Sequence, residues 1–269
     1  MDVGIMLVRH LDDVCWKQLA DPESPFEVSV PWMHHQVMAN HFIASRKGSP
    51  FIWQWHKLFV HLWEGRTNCK GLENSELLAP VTKSIDFEVA AKRGFKWELS
   101  VDPGTIVAYL AQVMAWIRVA MLREPGPDGF DGVEYYATKI LLFDGLHEDW
   151  GAETVVGFKG EDLFKTLVMK LDGDTESEEW KTAYRGIWRV LTDSSMQKVT
   201  HGKGLTKTVA LGTLLDDEGH GGADVEKGTF AELLRFGSVR FEQTRESIRY
   251  VEAERTPEEL VLRKGLLEP

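Results

Sequence analysis

The first regular feature of the chain is a continuous apolar run at residues 5–8, the pattern of a strand that is covered on both faces. Two later segments repeat apolar residues at the spacing i, i+3, i+4, i+7, which predicts helices over residues 50–64 and 102–122. Ser49 and Asp102 stand where amino-terminal caps belong, and each is followed by a proline that suits a first helical turn. We therefore expect the first eight residues to form a strand of a small, mostly parallel sheet, with both helices packed against it.

The rest of the pattern contains few strands and many helices. Alternation and short apolar runs predict strands at residues 26–30 and 42–44, and helical periodicity predicts helices at residues 132–146, 161–171, 177–191 and 230–236. An apolar opening strand followed by mainly helical segments indicates the α/β fold class, with a helix-rich carboxy-terminal half. We expect an α/β core over residues 1–145 and a helix-rich extension over residues 146–269.

Charge and composition exclude several partners. The chain of 269 residues has 31 basic and 42 acidic residues, a net charge of −11, and no strongly basic stretch. Nucleic acid needs a dense cationic face, so it is not expected as a partner. The most apolar later stretch contains Gln112 and Arg118 and has helical periodicity, which predicts a core helix and no membrane span. Cys15 and Cys69 lie far apart and form no CxxC zinc or redox motif.

Two segments resemble a known family. Residues 1–13, MDVGIMLVRHLDD, resemble the strand that follows the DxD motif in glycosyltransferases of the DxD-containing sugar-binding class. Residues 40–51, NHFIASRKGSPF, are similar to that class's asparagine-led strand, small residue and glycine–x–proline–aromatic helix start. Together with residues 55–68, they resemble the capsular polysaccharide synthesis branch, particularly its fungal members. The resemblance is good up to roughly residue 145 and looser beyond it.

The resemblance implies part of a GT-A-like nucleotide-sugar glycosyltransferase domain. It implies transfer of a sugar from a nucleotide-sugar donor to a glycan or small acceptor in polysaccharide synthesis. The strands that bind the nucleotide base lie before the DxD motif in this class, so the chain is expected to be truncated at its amino terminus. The alternative is a non-catalytic remnant that acts as an interaction or structural protein. The compartment is not assigned: the cytoplasm is the default, and the secretory-pathway lumen follows if a missing segment carries an anchor.

The resemblance places a metal ligand at Asp2. A divalent cation, Mn²⁺ or Mg²⁺, neutralises the diphosphate that leaves as the bond to the anomeric carbon breaks, and such cations prefer oxygen ligands. The second aspartate of the family's pair aligns with Gly4, so only one carboxylate is present. The other interpretation of Asp2 is a solvated residue at a frayed terminus.

Three further residues are candidates for substrate binding. Asn40 carries an amide that both donates and accepts hydrogen bonds, which suits sugar hydroxyls, and it lies in the family-like segment. His41 follows it, and Trp32 offers an aromatic ring that can stack on a sugar face. The alternative is that His41 and Trp32 fill a junction between a loop and a strand. The sequence indicates no catalytic residue.

Overall fold

A computed structural model describes residues 1, 4–34, 36–82, 99–199 and 204–269. Its strands are short. They are β1 Ile5–Leu7, β2 Val28–Met33, β3 Val37–Met38, β4 Ala44–Ser45, β5 Ile140–Asp144, β6 Met196–Lys198 and β7 Tyr250–Val251. The longer helices are Pro50–Trp63, Pro103–Tyr109, Ala111–Met121, Gly132–Lys139, Gly160–Val168, Glu178–Asp193 and Phe230–Arg240. Shorter helices are Lys17–Ala20, Ala79–Thr82, Gly145–Asp149, Glu153–Val156 and Leu211–Leu215. The mixed α/β class is thereby confirmed.

The predicted caps are confirmed at both helix starts. The Ser49 hydroxyl accepts a hydrogen bond from the Ile52 amide at 3.4 Å, and the Asp102 carboxylate accepts one from the Thr105 amide at 3.0 Å. Each cap satisfies an amide that the first helical turn leaves without an intrahelical partner. The second helix is divided at Leu110, where the backbone ψ is 3°. One predicted helix is therefore two consecutive helices.

The prediction for the middle of the chain needs a correction. Helical periodicity predicts one helix over residues 132–146, but the helix ends at Lys139 and residues 140–144 form β5. The first four residues of β5 are apolar and buried. A short, fully apolar run fits a buried strand as well as a buried helix, so periodicity alone does not separate the two.

The strands form two sheets. β1 pairs with β6, and the other sheet has the order β3-β2-β5-β7, with β4 also paired to β2. A strand is confirmed for residues 5–7, while residues 2 and 3 of the predicted strand lie outside the described residues. The expectation of a mostly parallel sheet is wrong. The pairs β1–β6, β2–β3, β2–β4 and β5–β7 are all antiparallel. β2 and β3 are joined by a tight hairpin, and such a short connection can only join antiparallel strands.

The described residues gather into two compact units. The first unit consists mainly of residues 4–14 and 144–249, and the second mainly of residues 15–82, 101–143 and 250–269. The chain passes from the second unit to the first at Asp144, close to the expected boundary at residue 145. Both units are discontinuous in sequence, and the division into domains 1–145 and 146–269 stays a prediction.

Each unit has its own apolar core. Val8, Ile187 and Phe230 belong to the core of the first unit. The second core contains Phe51 and Trp116, whose ring centroids are 4.6 Å apart. The helix that starts at Pro50 and the helix Ala111–Met121 supply these two rings, whereas the segment around β1 contributes to the first core. The expected packing of these helices against β1 stays a prediction. No helix among the described residues is long and apolar enough to cross a membrane.

Arg118 is fully buried in the second unit. Its Nη1 donates to the Leu77 carbonyl at 2.9 Å and its Nε to the Leu266 carbonyl at 3.3 Å, while Nη2 donates to the Glu268 carbonyl. Burial lowers the pKa of Arg118. The Leu266 amide in turn donates to Glu124 at 3.1 Å. The guanidinium therefore ties the carboxy-terminal segment to the core of this unit through backbone acceptors.

We predict that Arg118→Met lowers the free energy of unfolding by about 3 kcal/mol, because buried carbonyls lose their donor. Urea denaturation followed by tryptophan fluorescence measures the change. Arg240→Met is the matched control, since Arg240 is exposed, and it should change stability by less than about 0.5 kcal/mol. Equal stability of the two variants would contradict the role of Arg118 in tying the carboxy-terminal segment to the core.

Candidate functional site

The candidate substrate residues Trp32, Asn40 and His41 lie in the second unit, whereas Asp2 lies outside the described residues. Trp32 is half-buried in β2, with its ring centroid 6.1 Å from that of Tyr136. Asn40 is exposed, and its Nδ2 donates to Gln112 Oε1 at 2.8 Å. His41 is buried, with 6 % of its surface exposed.

The β2–β3 hairpin brings part of this set together. Trp32 pairs with Met38, and the Ala39 amide donates to the Pro31 carbonyl at 2.9 Å, so Asn40 leaves the hairpin on the strand next to Trp32. The arrangement presents an amide and a half-exposed indole from one short element. The burial of His41 favours a packing role for that ring over a direct contact with substrate. Substrate binding by these residues stays a prediction.

A second group of polar residues lies in the first unit, and the sequence pattern does not predict it. Among the described residues, seven polar residues that follow β5 or lie on and just before β6 each have at most 6 % of their surface exposed: Glu148, Asp149, Glu153, Ser194, Ser195, Gln197 and Lys198. Buried polar groups are costly, so a concentration of them in one region is typical of a functional site. We name this group the buried polar cluster.

β5 positions the first members of the cluster. The apolar part of β5 is residues 140–143, and Asp144 follows it. The Asp144 carboxylate accepts a hydrogen bond from the His147 amide at 3.2 Å and so caps the helix Gly145–Asp149. This cap turns the chain directly from a buried strand into a helix. Glu148 is thereby held in the interior, fully buried.

Glu148 is surrounded by donors. Arg245 donates to both carboxylate oxygens at 2.8 Å, the Arg249 amide donates at 2.7 Å and the Ser195 hydroxyl at 2.6 Å. Burial by itself raises the pKa of Glu148. The hydrogen bonds from His147, Arg245, Ser195 and the Arg249 amide outweigh it and hold the pKa at about 2. Glu148 is therefore an anion near neutral pH, suited to anchoring its neighbours rather than to accepting a proton.

His147 and Asp193 form the outer part of the cluster. His147 Nδ1 lies 3.3 Å from Glu148, and its Nε2 lies 3.3 Å from Asp193. Arg189 donates to the His147 carbonyl at 2.9 Å, and its Nη1 lies 3.5 Å from the Asp193 carboxylate. The Asp193 side chain is 41 % exposed, so this edge faces solvent. Guanidinium groups at such an edge suit phosphate or carboxylate ligands.

Glu153 has fewer donors around it than Glu148. It is 2 % exposed, and its carboxylate accepts a hydrogen bond from Gln197 Nε2 at 2.7 Å. Burial raises the pKa of Glu153 to about 8, and the hydrogen bond from Gln197 offsets only part of this effect. Glu153 is therefore a neutral acid at physiological pH. Gln197 also accepts from the Ala152 amide at 3.1 Å, so it fixes Glu153 and its helix to β6.

The cluster extends towards the start of β1. β6 runs antiparallel to β1, and the Val199 amide donates to the Gly4 carbonyl at 2.8 Å. The end of β6, with Gln197 and Lys198, therefore lies beside the beginning of β1. Among the described residues, no three His, Cys, Asp or Glu side chains are grouped as metal ligands.

The sequence contains only a partial signal for this cluster. Three ionisable residues, His147, Glu148 and Asp149, come four to six positions after the apolar run at residues 140–143. Arg245, however, stands 97 positions after Glu148. No spacing rule connects residues so far apart, so the ion pair itself cannot be inferred from the sequence.

We predict that Glu148→Gln lowers the free energy of unfolding near pH 7 by about 3 kcal/mol, because Arg245 loses the buried carboxylate to which it donates and keeps the more exposed Asp193, 3.6 Å away, as its anionic partner. The pKa of Glu148 is lower in the folded state than in the unfolded state. Its stabilisation is therefore present above pH 4.5 and is lost as the pH falls towards about 2. Denaturation of both proteins between pH 2 and pH 7 measures this, with the exposed Glu246→Gln as control. A difference that does not shrink in acid would show that ionisation of Glu148 is unimportant.

Glu153→Gln should have the opposite pH dependence. The folded-state pKa of Glu153 is raised, so the wild-type protein loses stability as the pH rises from 4.5 to about 8. The amide variant does not ionise and should become more stable than the wild type by on the order of 3 kcal/mol at the upper end. Denaturation across this range, with the exposed Glu179→Gln as control, measures the difference. If the stability of the wild type and of Glu153→Gln changed with pH in the same way, Glu153 would not be a neutral buried acid.

Comparison with known proteins identifies fungal relatives. The chain is 46 % identical over 270 residues to a probable glycosyltransferase FCK3 of Fusarium pseudograminearum, an alignment that covers 100 % of the chain and 66 % of that protein. It is 37 % identical over 278 residues to the O-glycosyltransferase braB of Annulohypoxylon truncatum, with 100 % of the chain and 64 % of that protein covered. It is 34 % identical over 256 residues to the glycosyltransferase afumC of Aspergillus fumigatus, with 92 % and 63 % covered.

No family model and no solved structure matches the chain. The chain spans just under two thirds of the length of these three relatives. Sequence identity of 34–46 % over 92–100 % of the chain means that the chain shares its architecture with the matching part of those proteins. The similarities support a glycosyltransferase family for this chain, and they relate it over its whole length to a part of fungal glycosyltransferases.

Proposed function

We propose that the protein containing this chain is a glycosyltransferase, which moves a sugar from a nucleotide-sugar donor to a hydroxyl group of a glycan or small acceptor. The observation that carries the proposal is the 46 % identity, across the entire chain, to a relative named a probable glycosyltransferase. Two of the fungal relatives are named O-glycosyltransferases, which supports a hydroxyl group as the acceptor of the sugar. The mixed α/β architecture is consistent with a GT-A-like domain of which the chain forms part.

The finer assignment to the capsular polysaccharide synthesis branch is supported by the local motif. In that motif a glycine–x–proline sequence starts a helix, and here Gly48 has a positive φ of 84° while Ser49 caps the helix that begins at Pro50. The Ser49 hydroxyl also lies 2.9 Å from the Tyr135 hydroxyl, which donates to Glu27 at 2.7 Å. The motif therefore serves to fix the start of this helix.

For the donor, we propose that Asp2 ligates Mn²⁺ or Mg²⁺. Such a cation, when bound, neutralises the diphosphate as it leaves. The cation would be held mainly by phosphates and water, with Asp2 as its protein carboxylate. Gly4 comes two positions after Asp2 in the sequence. Its carbonyl accepts a hydrogen bond from the amide of Val199, the residue that follows β6.

For the sugar, we propose that Asn40 and Trp32 contact donor or acceptor hydroxyls and the face of a ring. Asn40 is exposed and its Nδ2 has one partner at 2.8 Å, so the rest of the amide faces solvent. Trp32 is held by Tyr136 on one side and is half-exposed. His41, which is buried, would support Asn40 from the interior.

The alternative is a non-catalytic descendant that acts through interactions. It has less support, because the similarity to proteins named glycosyltransferases runs through the whole chain and not through one part of it. Measured donor turnover separates the two functions.

We predict that the complete gene product containing these 269 residues binds nucleoside diphosphates in a Mn²⁺-dependent manner and releases nucleoside diphosphate from a nucleotide-sugar. Asp2→Ala should weaken the Mn²⁺-dependent binding at least about tenfold, because it removes a carboxylate ligand. Calorimetric titration measures binding, and a panel of donors measures turnover.

Asp128→Ala, in an exposed turn, is the matched control. Binding that is unchanged in Asp2→Ala would remove Asp2 from the metal site. A wild-type protein without nucleotide binding or donor turnover would contradict the glycosyltransferase proposal itself.

A further inference from the structure

Five aromatic rings form a continuous row along one side of the first unit. Three of them lie four residues apart on the helix Glu178–Asp193, and the other two lie on or just after the helix Phe230–Arg240. The centroids of consecutive rings are 5.2, 6.0, 5.9 and 5.7 Å apart. We name this set the aromatic row; in spatial order it consists of Trp180, Tyr184, Trp188, Phe241 and Phe236.

The outer side of the aromatic row is exposed. Tyr184, Phe236 and Phe241 are 44 %, 56 % and 37 % exposed, and Val239, one helical turn after Phe236, is 78 % exposed. Because an aromatic side chain has about 150–250 Å² of surface, these four residues present roughly 400 Å² of apolar surface. An exposed apolar patch of this size on a soluble domain is often an interaction site.

The core of the unit does not need the exposed side of the row. The helix Glu178–Asp193 contributes Ala183, Ile187 and Val190 to that core, and each of them is at most 1 % exposed. The exposed rings therefore lie outside an apolar core that is already closed.

The two ends of the aromatic row differ in charge. Residues 172–179, directly before Trp180, contain five acidic residues and no basic one. Residues 235–242, which include Phe236 and Phe241, contain two arginines and one acidic residue, Glu242. The row therefore runs from an acidic end to a weakly basic end.

Ion pairs at the two ends leave this polarity in place. Lys181 Nζ lies 3.3 Å from Glu176, which neutralises one of the five acidic residues. Arg235 Nη1 lies 2.6 Å from Asp224, so Arg240 is the further cation of the basic end. Both ends are solvent-exposed, so their charges are available to a partner.

A second copy of the chain matches this surface when it is related by a two-fold axis. An axis perpendicular to the row reverses the direction of the row, so the acidic end of each copy faces the basic end of the other. A parallel arrangement would place the two acidic ends against each other, which their charges disfavour. A membrane surface is a poorer match, because its anionic headgroups would meet the acidic end.

The area of the patch is sufficient for a stable pair. Two patches face to face bury roughly 800 Å² of apolar surface, about half of a standard interface of about 1,600 Å². A little more than half of a typical interface is apolar, and a polar rim supplies the rest. The charged ends of the aromatic row are placed to form such a rim.

We propose that the aromatic row is the two-fold interface of a homodimer. The exposed rings of the two copies pack across the axis, and Arg240 of each copy faces the acidic segment 172–179 of the other. The interface contains none of the residues proposed for the metal or the sugar, so Asp2→Ala should leave the dimer unchanged.

Sedimentation equilibrium of the complete protein at low salt tests the proposal, and we expect a dimer with a dissociation constant of about 1 µM or below. Val239→Glu brings a charge into the apolar patch and should weaken the dimer at least about tenfold. Val60→Glu is the matched control, because Val60 is 51 % exposed on the helix Pro50–Trp63 of the second unit, and it should leave the dimer unchanged. An unchanged thermal unfolding midpoint of the Val239→Glu monomer shows that the variant is folded.

Charge reversal tests the two-fold arrangement. Arg240→Glu and Glu179→Arg each place like charges opposite one another at both ends of the interface, so each should weaken its own dimer at least about fivefold. In a mixture of the two variants, a heterodimer has opposite charges at both ends. The mixture should therefore associate more tightly than either variant alone, by about the same factor.

Three results would overturn the proposal. The first is a complete protein that stays monomeric at every concentration, as it would if another segment of the protein covered the row. The second is a dimer that Val239→Glu weakens no more than Val60→Glu does. The third is a mixture of the charge-reversed variants that associates no more tightly than each variant alone, because the copies then do not meet in this arrangement.

Discussion

The structure of the first unit depends on the hydrogen bonds that several donors make to one buried carboxylate, that of Glu148. Glu148 has no contact with solvent, so its charge is tolerated only because donors from separate parts of the chain converge on it. Ser195 comes from the approach to β6, and Arg245 and the Arg249 amide come from the segment that precedes β7. These segments have little regular structure of their own. A single anion therefore determines where three stretches of the chain meet.

The same interaction explains the contrast between the two acids of the buried polar cluster. Glu148 and Glu153 lie five positions apart and are similarly inaccessible, yet burial prevails only at Glu153. The difference is the set of donors around Glu148, namely His147, Arg245, Ser195 and the Arg249 amide, whereas the donor side chain on Glu153 is Gln197. One region of the fold thus holds a fixed charge and a neutral acid side by side. Such separation of ionisation states is how folded proteins prepare groups for different tasks.

The sequence predicts local chemistry well and long-range chemistry poorly. Ser49 and Asp102 predict their helices because a cap and a following proline are adjacent in sequence. The apolar run at β1 likewise predicts a strand, but nothing in it specifies that its partner is β6, far along the chain, or that the pair is antiparallel. The pattern at β5 wrongly predicts a helix, because a run of four buried apolar residues fits the helical repeat and the strand repeat equally well. The partners of Glu148 are hidden for the same reason as the partner of β1, since only the folded chain brings them together.

The interleaving of the two units has a consequence for synthesis of the protein. The second unit draws on residues 15–82 and 101–143, but it also includes β7, which pairs with β5, and the segment held by Arg118. Until residues 250–269 emerge from the ribosome, Arg118 lacks two of its three acceptors and β5 lacks an edge partner. The first unit, whose residues end at Arg249, is fully translated before that point. The unit that contains most of the earlier part of the chain is therefore the later one to be completed on the ribosome.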